Sequence, residues 1–224
     1  MNEDVEKNFE AVIFDLDGTL IDSMDVWLRI DEEFLSKRGF KTSRDYVDAI
    51  NAMSFNEAAR YTKERFSLDE SEEFIMNEWT ELAIYEYSNN IKLKDGAKEY
   101  IEYLKENGIK IGLATSCLKV LYEPVLKNNG IFDYFDVLCS TGEVATGKET
   151  PDIFLHVAKE LDSSPDKCLV FEDVYPAICS AKLAGMDVCA MYDSFSEEKW
   201  EEIEALADGT IRDFADAPKI DNYL

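Results

Sequence analysis

Residues 11–20 are AVIFDLDGTL, an apolar run followed at once by two aspartates two positions apart and a glycine. A short apolar run of this kind is typical of a strand that is buried in a parallel sheet. The motif places Asp15 and Asp17 where the strand ends and Gly18 where the backbone turns. Ligands of open parallel α/β sheets bind outside the carboxyl ends of the strands, so both carboxylates lie at the expected ligand edge.

Similar apolar runs recur along the second half of the chain, and amphipathic stretches separate them. We predict further strands at 109–114, 137–139, 168–171 and 188–191. We predict helices at 97–106, 119–128, 152–161, 177–184 and 197–206. This alternation of strands and helices predicts an α/β fold with a Rossmann-like parallel sheet.

Residues 21–91 interrupt the alternation, because they contain no strand-like run and several helical patterns. Val26, Ile30 and Phe34, for example, recur at helical spacing. We therefore predict an α-helical cap domain at 21–91, inserted into a core domain formed by 1–20 and 92–224. Because the insert follows the first strand at the ligand edge, we expect it to close over a site there.

The composition excludes several classes of function. The 224 residues include 48 acidic and 23 basic ones, and the resulting net charge of -25 repels nucleic-acid phosphates and anionic lipids. No apolar run approaches the roughly 20 residues that a bilayer-spanning helix needs, and residues 1–10 lack signal-peptide character. The five cysteines are odd in number and have no CxxC spacing, which is typical of reduced thiols. We expect a cytoplasmic monomer without nucleic-acid or membrane partners.

Polar residues also stand next to the later strands. Five of them follow a predicted strand or precede a predicted helix: Thr115, Ser116, Lys148, Glu172 and Asp173. Buried carboxylates at one sheet edge require compensating positive charge, because an unpaired buried charge is costly. Lys148, within GKETPD at 147–152, supplies one such charge.

Four segments carry a family resemblance. In chain order, DLDGTL (15–20), ATS (114–116), GKETPDIF (147–154) and FEDVYPAICSAKLAGM (171–186) resemble the four signatures of the haloacid dehalogenase superfamily of phosphotransferases. The helical insert resembles the cap of the branch that contains β-phosphoglucomutase and small-metabolite phosphatases. The resemblance implies a phosphoric monoester hydrolase that acts on a small phosphorylated metabolite, such as a sugar phosphate, through an aspartyl-phosphate.

The resemblance also implies roles for individual side chains. Asp15 would be the nucleophile, and Asp17 would protonate the leaving alcohol and then deprotonate water. Thr115, Ser116 and Lys148 would bind the phosphoryl oxygens, with Lys148 placing its charge beside Asp15.

A Mg²⁺ cofactor is implied as well. The hard cation prefers oxygen ligands, which Asp15, the backbone carbonyl of Asp17, Asp173 and Glu172 would supply. The family often has Ser after the Glu-Asp pair and Gly three residues later, whereas this chain has Val174 and Ala177. We expect this departure to alter substrate contacts and to leave metal binding in place.

The main alternative is a sugar phosphomutase of the β-phosphoglucomutase kind. Such mutases have a cap arginine after a small-residue turn, and the corresponding turn here, at 51–55, ends in Phe55. They also tend to have a cap histidine near the first signature, whereas 22–31 contain none. Both differences favour a hydrolase. A third alternative is a catalytically weak protein that binds a phosphometabolite, against which the retained Asp17 argues.

Overall fold

The computed structural model describes residues 9–50, 53, 55–144 and 146–220, which form two compact units. One unit comprises the described residues up to Ser23 and from Lys92 onward, and the other comprises Met24–Ile91. The first unit contains a parallel sheet with helices, and the second consists of helices and their connections. The predicted turn at 51–55 lies largely outside the described residues, which include only Met53 and Phe55 of it.

Six strands form the sheet in the described part of the chain. They are β1 (Ala11–Phe14), β2 (Lys110–Thr115), β3 (Val137–Ser140), β4 (Cys168–Glu172), β5 (Asp187–Met191) and β6 (Gly209–Ile211). Their order is β3-β2-β1-β4-β5-β6, and all neighbours are parallel. The chain moves outward from β1 to β3 and then crosses back to β4, so the topological switch point lies between β1 and β4. The predicted parallel α/β fold is confirmed.

Helices connect the strands and make up the second unit. In chain order they are α1 (Val26–Ser36), α2 (Arg44–Ile50), α3 (Phe55–Phe66), α4 (Glu72–Asn89), α5 (Ala97–Glu106), α6 (Lys119–Asn128), α7 (Asp152–Glu160), α8 (Tyr175–Leu183) and α9 (Trp200–Leu206). In the described part of the chain, none is both long and apolar enough to cross a membrane.

Most predicted bounds agree with the structure to within two residues. The helix predicted at 197–206 was wrong at its start, because Ser194–Lys199 form a 3-10 helix and α9 begins only at Trp200. The strand β6 was not predicted, since it has three residues of which two are exposed, and so it lacks the apolar run that marks a buried strand.

Both faces of β1 are buried. On one face, the ring of Phe14 stacks on Phe171 of β4 with 5.2 Å between centroids, and Tyr100 of α5 packs edge-on against Phe14. On the other face, Ile13 belongs to an apolar cluster that includes Phe154 of α7. Because successive side chains of a strand point to opposite faces of the sheet, this four-residue run packs against helices on both faces.

Close packing of α7 on the sheet depends on Gly112 in β2. A Cβ atom at this position would lie 2.5 Å from Cγ1 of Val157 in α7, closer than two carbon atoms can approach. The loop that carries Lys148 leads directly into α7. The packing of α7 on β2 therefore helps to position this loop.

The helical unit has its own core. Phe34 of α1 packs edge-on against Trp79 of α4 with 5.6 Å between ring centroids, and both residues are buried. Trp79 is therefore a core residue of this unit. Phe55, at the start of α3, also contacts Trp79 but is 42% exposed. The apolar spacing that predicted α1 is confirmed, since Val26, Ile30 and Phe34 are all buried.

Candidate active site

Three carboxylates meet where β1 and β4 end. Asp15 follows β1, Glu172 is the last residue of β4, and Asp173 follows it. One carboxylate oxygen from each of the three lies within 4.8 Å of the others, and all three residues are buried. The backbone N–H of Asp15 donates to the carbonyl of Phe171 at 2.9 Å, which continues the ladder between β1 and β4 up to this cluster. The parallel register therefore gathers these acids at the switch point.

Lys148 lies between two of these carboxylates. Its ammonium nitrogen is 2.6 Å from Oδ1 of Asp15 and 2.5 Å from Oε2 of Glu172, and its side chain is only 10% exposed. Burial by itself lowers the pKa of Lys148, but the charges of Asp15 and Glu172 outweigh burial and hold that pKa above its usual value. The lysine is therefore cationic and compensates part of the negative charge.

Asp173 is held through one oxygen, and its other oxygen is unsatisfied. Its Oδ1 accepts a hydrogen bond from the Thr19 hydroxyl at 2.9 Å, whereas its buried Oδ2 has no hydrogen-bond partner among the described residues. Burial, together with the charge of Asp15, raises the pKa of Asp173 to about 7. Burial and the charge of Asp15 also raise the pKa of Glu172. Among the described residues, Lys148 is the one ion-pair partner of this cluster, so three carboxylates share a single positive charge.

The donor set fits a hard divalent cation. Every candidate ligand in the cluster is a carboxylate oxygen, the type of atom that Mg²⁺ prefers. A buried polar atom without a partner is uncommon in proteins, and an ion is one of the few groups that account for it. The unsatisfied Oδ2 of Asp173 therefore supports Mg²⁺ binding at this cluster.

Asp17 lies in the loop after β1. Its Oδ1 accepts a hydrogen bond from the Ser23 hydroxyl at 2.7 Å, and its side chain is only partly buried. The following Gly18 has φ +83°, a left-handed conformation that favours glycine, and its N–H donates to the carbonyl of Ile21 at 3.1 Å. The Asp17 residue is thus less buried than Asp15, Glu172 and Asp173.

Thr115 and Ser116 stand at the same edge of the sheet. Phe14 pairs in register with Leu113, so Thr115 lies two residues beyond that pair at the end of β2. Thr115 is buried, and its Oγ1 accepts the N–H of Cys117 at 3.0 Å, whereas Ser116 is exposed. The structure thus brings both residues to the edge where Asp15 lies.

The two departures from the family pattern have different surroundings. Val174 is 43% exposed, and its backbone N–H donates to Oε1 of Glu172 at 3.3 Å. Ala177 is buried in the first turn of α8. Orientation of Glu172 through the backbone is thus independent of the side chain at 174.

Two residues at the site were missed by the sequence reasoning. Thr19 donates to Asp173, and Ser23 donates to Asp17. Their hydroxyl-bearing types and their position just after the two aspartates were visible in the sequence. The partner of Thr19 was not, because 154 positions separate it from Asp173.

Known proteins resemble this chain over most of its length. The family described as haloacid dehalogenase-like hydrolase matches residues 12–191. The phosphorylated carbohydrates phosphatase of Thermotoga maritima is 30% identical over 178 residues, which cover 80% of this chain and 82% of that protein. The bifunctional riboflavin kinase/FMN phosphatase of Arabidopsis thaliana is 32% identical over 192 residues, 85% of this chain, but this match spans only 50% of that protein. The crystal structure of a putative beta-phosphoglucomutase from Thermotoga maritima is 28% identical with a TM-score of 0.83, covering 91% of this chain and 94% of that one.

Proposed function

Since this chain belongs to the haloacid dehalogenase-like hydrolase family, we propose that it is a Mg²⁺-dependent phosphatase of small phosphorylated metabolites. The observation that carries the proposal is the position of Lys148 between Asp15 and Glu172, which cluster with Asp173, whose buried Oδ2 has no hydrogen-bond partner among the described residues. A nucleophilic carboxylate, a fixed cation and a set of oxygen ligands at one sheet edge are the parts that phosphoryl transfer requires.

Mg²⁺ would be held by Asp15, Asp173 and the backbone carbonyl of Asp17, with Glu172 as a further ligand or a neighbour. When bound, the ion neutralises charge on the phosphoryl oxygens. Lys148 adds a second positive charge and holds the carboxylate of Asp15 in one orientation through its 2.6 Å contact.

Asp15 would attack the phosphorus atom through a carboxylate oxygen and form an aspartyl-phosphate. Asp17 would give its proton to the departing alcohol and then take a proton from the water that releases inorganic phosphate. The Ser23 hydroxyl, 2.7 Å from Oδ1 of Asp17, orients that carboxyl. Thr115 and Ser116 would donate hydrogen bonds to the phosphoryl oxygens.

The helical unit would act as a cap that helps to select the substrate. It is inserted between β1 and α5, and the chain leaves the sheet unit directly after the loop that carries Asp17. Sugar phosphates are the first substrates to test, because the similar Thermotoga maritima enzyme is named for phosphorylated carbohydrates. FMN is the second, since it is named for the phosphatase activity of the Arabidopsis thaliana relative.

The test is phosphate release from a panel of sugar phosphates, polyol phosphates and FMN, with Mg²⁺ or with EDTA. We expect hydrolysis of at least one ester that EDTA abolishes and the Asp15→Asn variant lacks. Hydrolysis that persists in cleanly folded Asp15→Asn protein would overturn the proposed nucleophile.

A sugar phosphomutase is the second candidate, favoured by the similarity to the putative beta-phosphoglucomutase structure. The experiment supplies β-glucose 1-phosphate, Mg²⁺ and a trace of glucose 1,6-bisphosphate, and follows glucose 6-phosphate and inorganic phosphate together. Rapid isomerisation with little phosphate release would establish the mutase. Release of phosphate without isomerisation supports the phosphatase.

A further inference from the structure

The turn after β5, which is not part of the carboxylate cluster, forms a hydrogen bond with the backbone of Asp173. The hydroxyl of Ser196 donates to the backbone carbonyl of Asp173 at 2.7 Å. This bond restrains the main chain from which the Asp173 carboxylate projects, while Thr19 holds its Oδ1. Together the two hydroxyls fix the direction in which the unsatisfied Oδ2 points.

Asp193 fixes the turn that carries Ser196. Its Oδ1 accepts the N–H of Phe195 at 3.0 Å, and its backbone carbonyl accepts the N–H of Ser196 at 3.0 Å. It therefore serves as the N-cap of the 3-10 helix Ser194–Lys199. Such a cap sets the backbone conformation at the first residues of the turn.

Lys94 ties this turn to the loop after β1. Its ammonium nitrogen lies 2.9 Å from Oδ2 of Asp193 and 3.3 Å from the carbonyl of Tyr192. The side chains of Lys94 and Asp193 are only 13% and 8% exposed. The backbone N–H of Lys94 donates to the carbonyl of Leu20 at 2.9 Å, so this residue joins the loop that carries Asp17 and Thr19 to the turn that supports Asp173.

We propose that Ser196 is a positioning residue for the Mg²⁺ site, and that the Lys94–Asp193 ion pair keeps it in place. The inference rests on the proposed function, in which Asp173 binds the ion. Ser196 acts only through the backbone of Asp173, as partners of metal ligands commonly do, and the loss of such a partner lowers metal affinity.

The test compares wild-type protein with Ser196→Ala by Mg²⁺ titration calorimetry and by thermal unfolding in EDTA. We expect Ser196→Ala to bind Mg²⁺ about 10-fold more weakly. Its melting temperature in EDTA should fall by no more than roughly 4 °C, since one part-exposed hydrogen bond between neutral groups is lost. Ser196→Thr keeps the hydroxyl and should restore the affinity. Ser194→Ala, at an exposed serine of the same turn, is the matched control and should bind as wild type does.

A Ser196→Ala protein that binds Mg²⁺ as tightly as wild type would overturn the inference while leaving the proposed function in place. Absence of Mg²⁺ binding in wild type would overturn the proposed function, and the inference with it. The ion pair is tested with Lys94→Met alone and combined with Ser196→Ala. If Lys94 and Ser196 act through the same turn, the double variant loses no more Mg²⁺ affinity than the weaker-binding of the two single variants. Losses that simply add would contradict the role given to Lys94.

Discussion

The ammonium nitrogen of Lys148 lies 2.6 Å from Oδ1 of Asp15, although 133 positions separate the two residues in the sequence. The same nitrogen contacts Glu172, so a single cation serves two buried carboxylates. Such a cation stabilises the metal-free site, and it also competes with a divalent ion for the same negative charge.

Lys148→Met should therefore separate stability from metal binding. We expect the metal-free protein to lose about 3 kcal/mol in free energy of unfolding, because buried carboxylates remain uncompensated. The increase in melting temperature on adding Mg²⁺ should be larger than in wild type, while phosphatase activity is lost. Lys105→Met removes the surface ion pair with Asp136, seen at 2.8 Å, and should cost less than about 1 kcal/mol. Equal effects of the two substitutions would contradict the buried role of Lys148.

Asp17→Asn should slow the reaction and leave the fold unchanged. An amide of the same shape can still accept from Ser23 but cannot move a proton, so we expect kcat to fall by roughly 10²- to 10⁴-fold. Quenched samples analysed by intact-protein mass spectrometry should then retain a phosphoryl group on Asp15. A kcat equal to that of wild type would refute the acid/base role of Asp17.

Asp173→Asn should stabilise the metal-free protein and remove its response to Mg²⁺. The substitution takes away one of three clustered negative charges, which we expect to raise the free energy of unfolding by roughly 1–3 kcal/mol in EDTA. The free energy of unfolding of wild type should increase by about 2.7 kcal/mol when Mg²⁺ is present at 100 times its Kd, and that of the variant should increase much less. Asp133→Asn removes one exposed charge and should respond to Mg²⁺ as wild type does. An unchanged response in Asp173→Asn would place the metal elsewhere.

Asp31→Asn should change how stability depends on pH. Asp31 is buried in the helical unit, where its Oδ1 accepts from the Tyr46 hydroxyl at 3.3 Å, and burial raises its pKa to about 7. Between about pH 4 and pH 7 the folded state alone keeps this proton, so stability falls as pH rises, by up to about 1.4 kcal/mol per pH unit. Above pH 7 the contribution levels off.

The measurement is urea unfolding of wild type and variant from pH 4 to pH 8 in EDTA. Their difference at each pH isolates Asp31, because the other titrating carboxylates are common to both proteins. We expect the free energy of unfolding of Asp31→Asn, relative to that of wild type, to increase as pH rises. Asp45→Asn is the control, since hydrogen bonding to Arg65 lowers the pKa of this exposed carboxyl and it titrates below the window. A pH-independent difference for Asp31→Asn would refute the raised pKa.

The sequence predicted the parts of the fold that local chemistry specifies. The run Ala11–Phe14 is a strand because its side chains are apolar on both faces, and helices α5 and α6 have the predicted bounds because their apolar spacing is regular. The short, exposed β6 has neither an apolar run nor a regular apolar spacing. It is a strand because it pairs with β5.

Residue type and position also indicated the candidate acids and the candidate lysine. Charged groups at the carboxyl ends of buried strands are costly unless they are paired or bind a ligand. Only the tertiary structure decided their partners. The crossing from β3 to β4 places Asp15 beside Glu172 and Asp173, and the packing of α7 on β2 supports the loop that brings Lys148 between two of them. The bonds from Thr19 and Ser196 to Asp173 depend on the same topology, because a hydrogen bond is set by distance in space and leaves no periodic pattern along the chain.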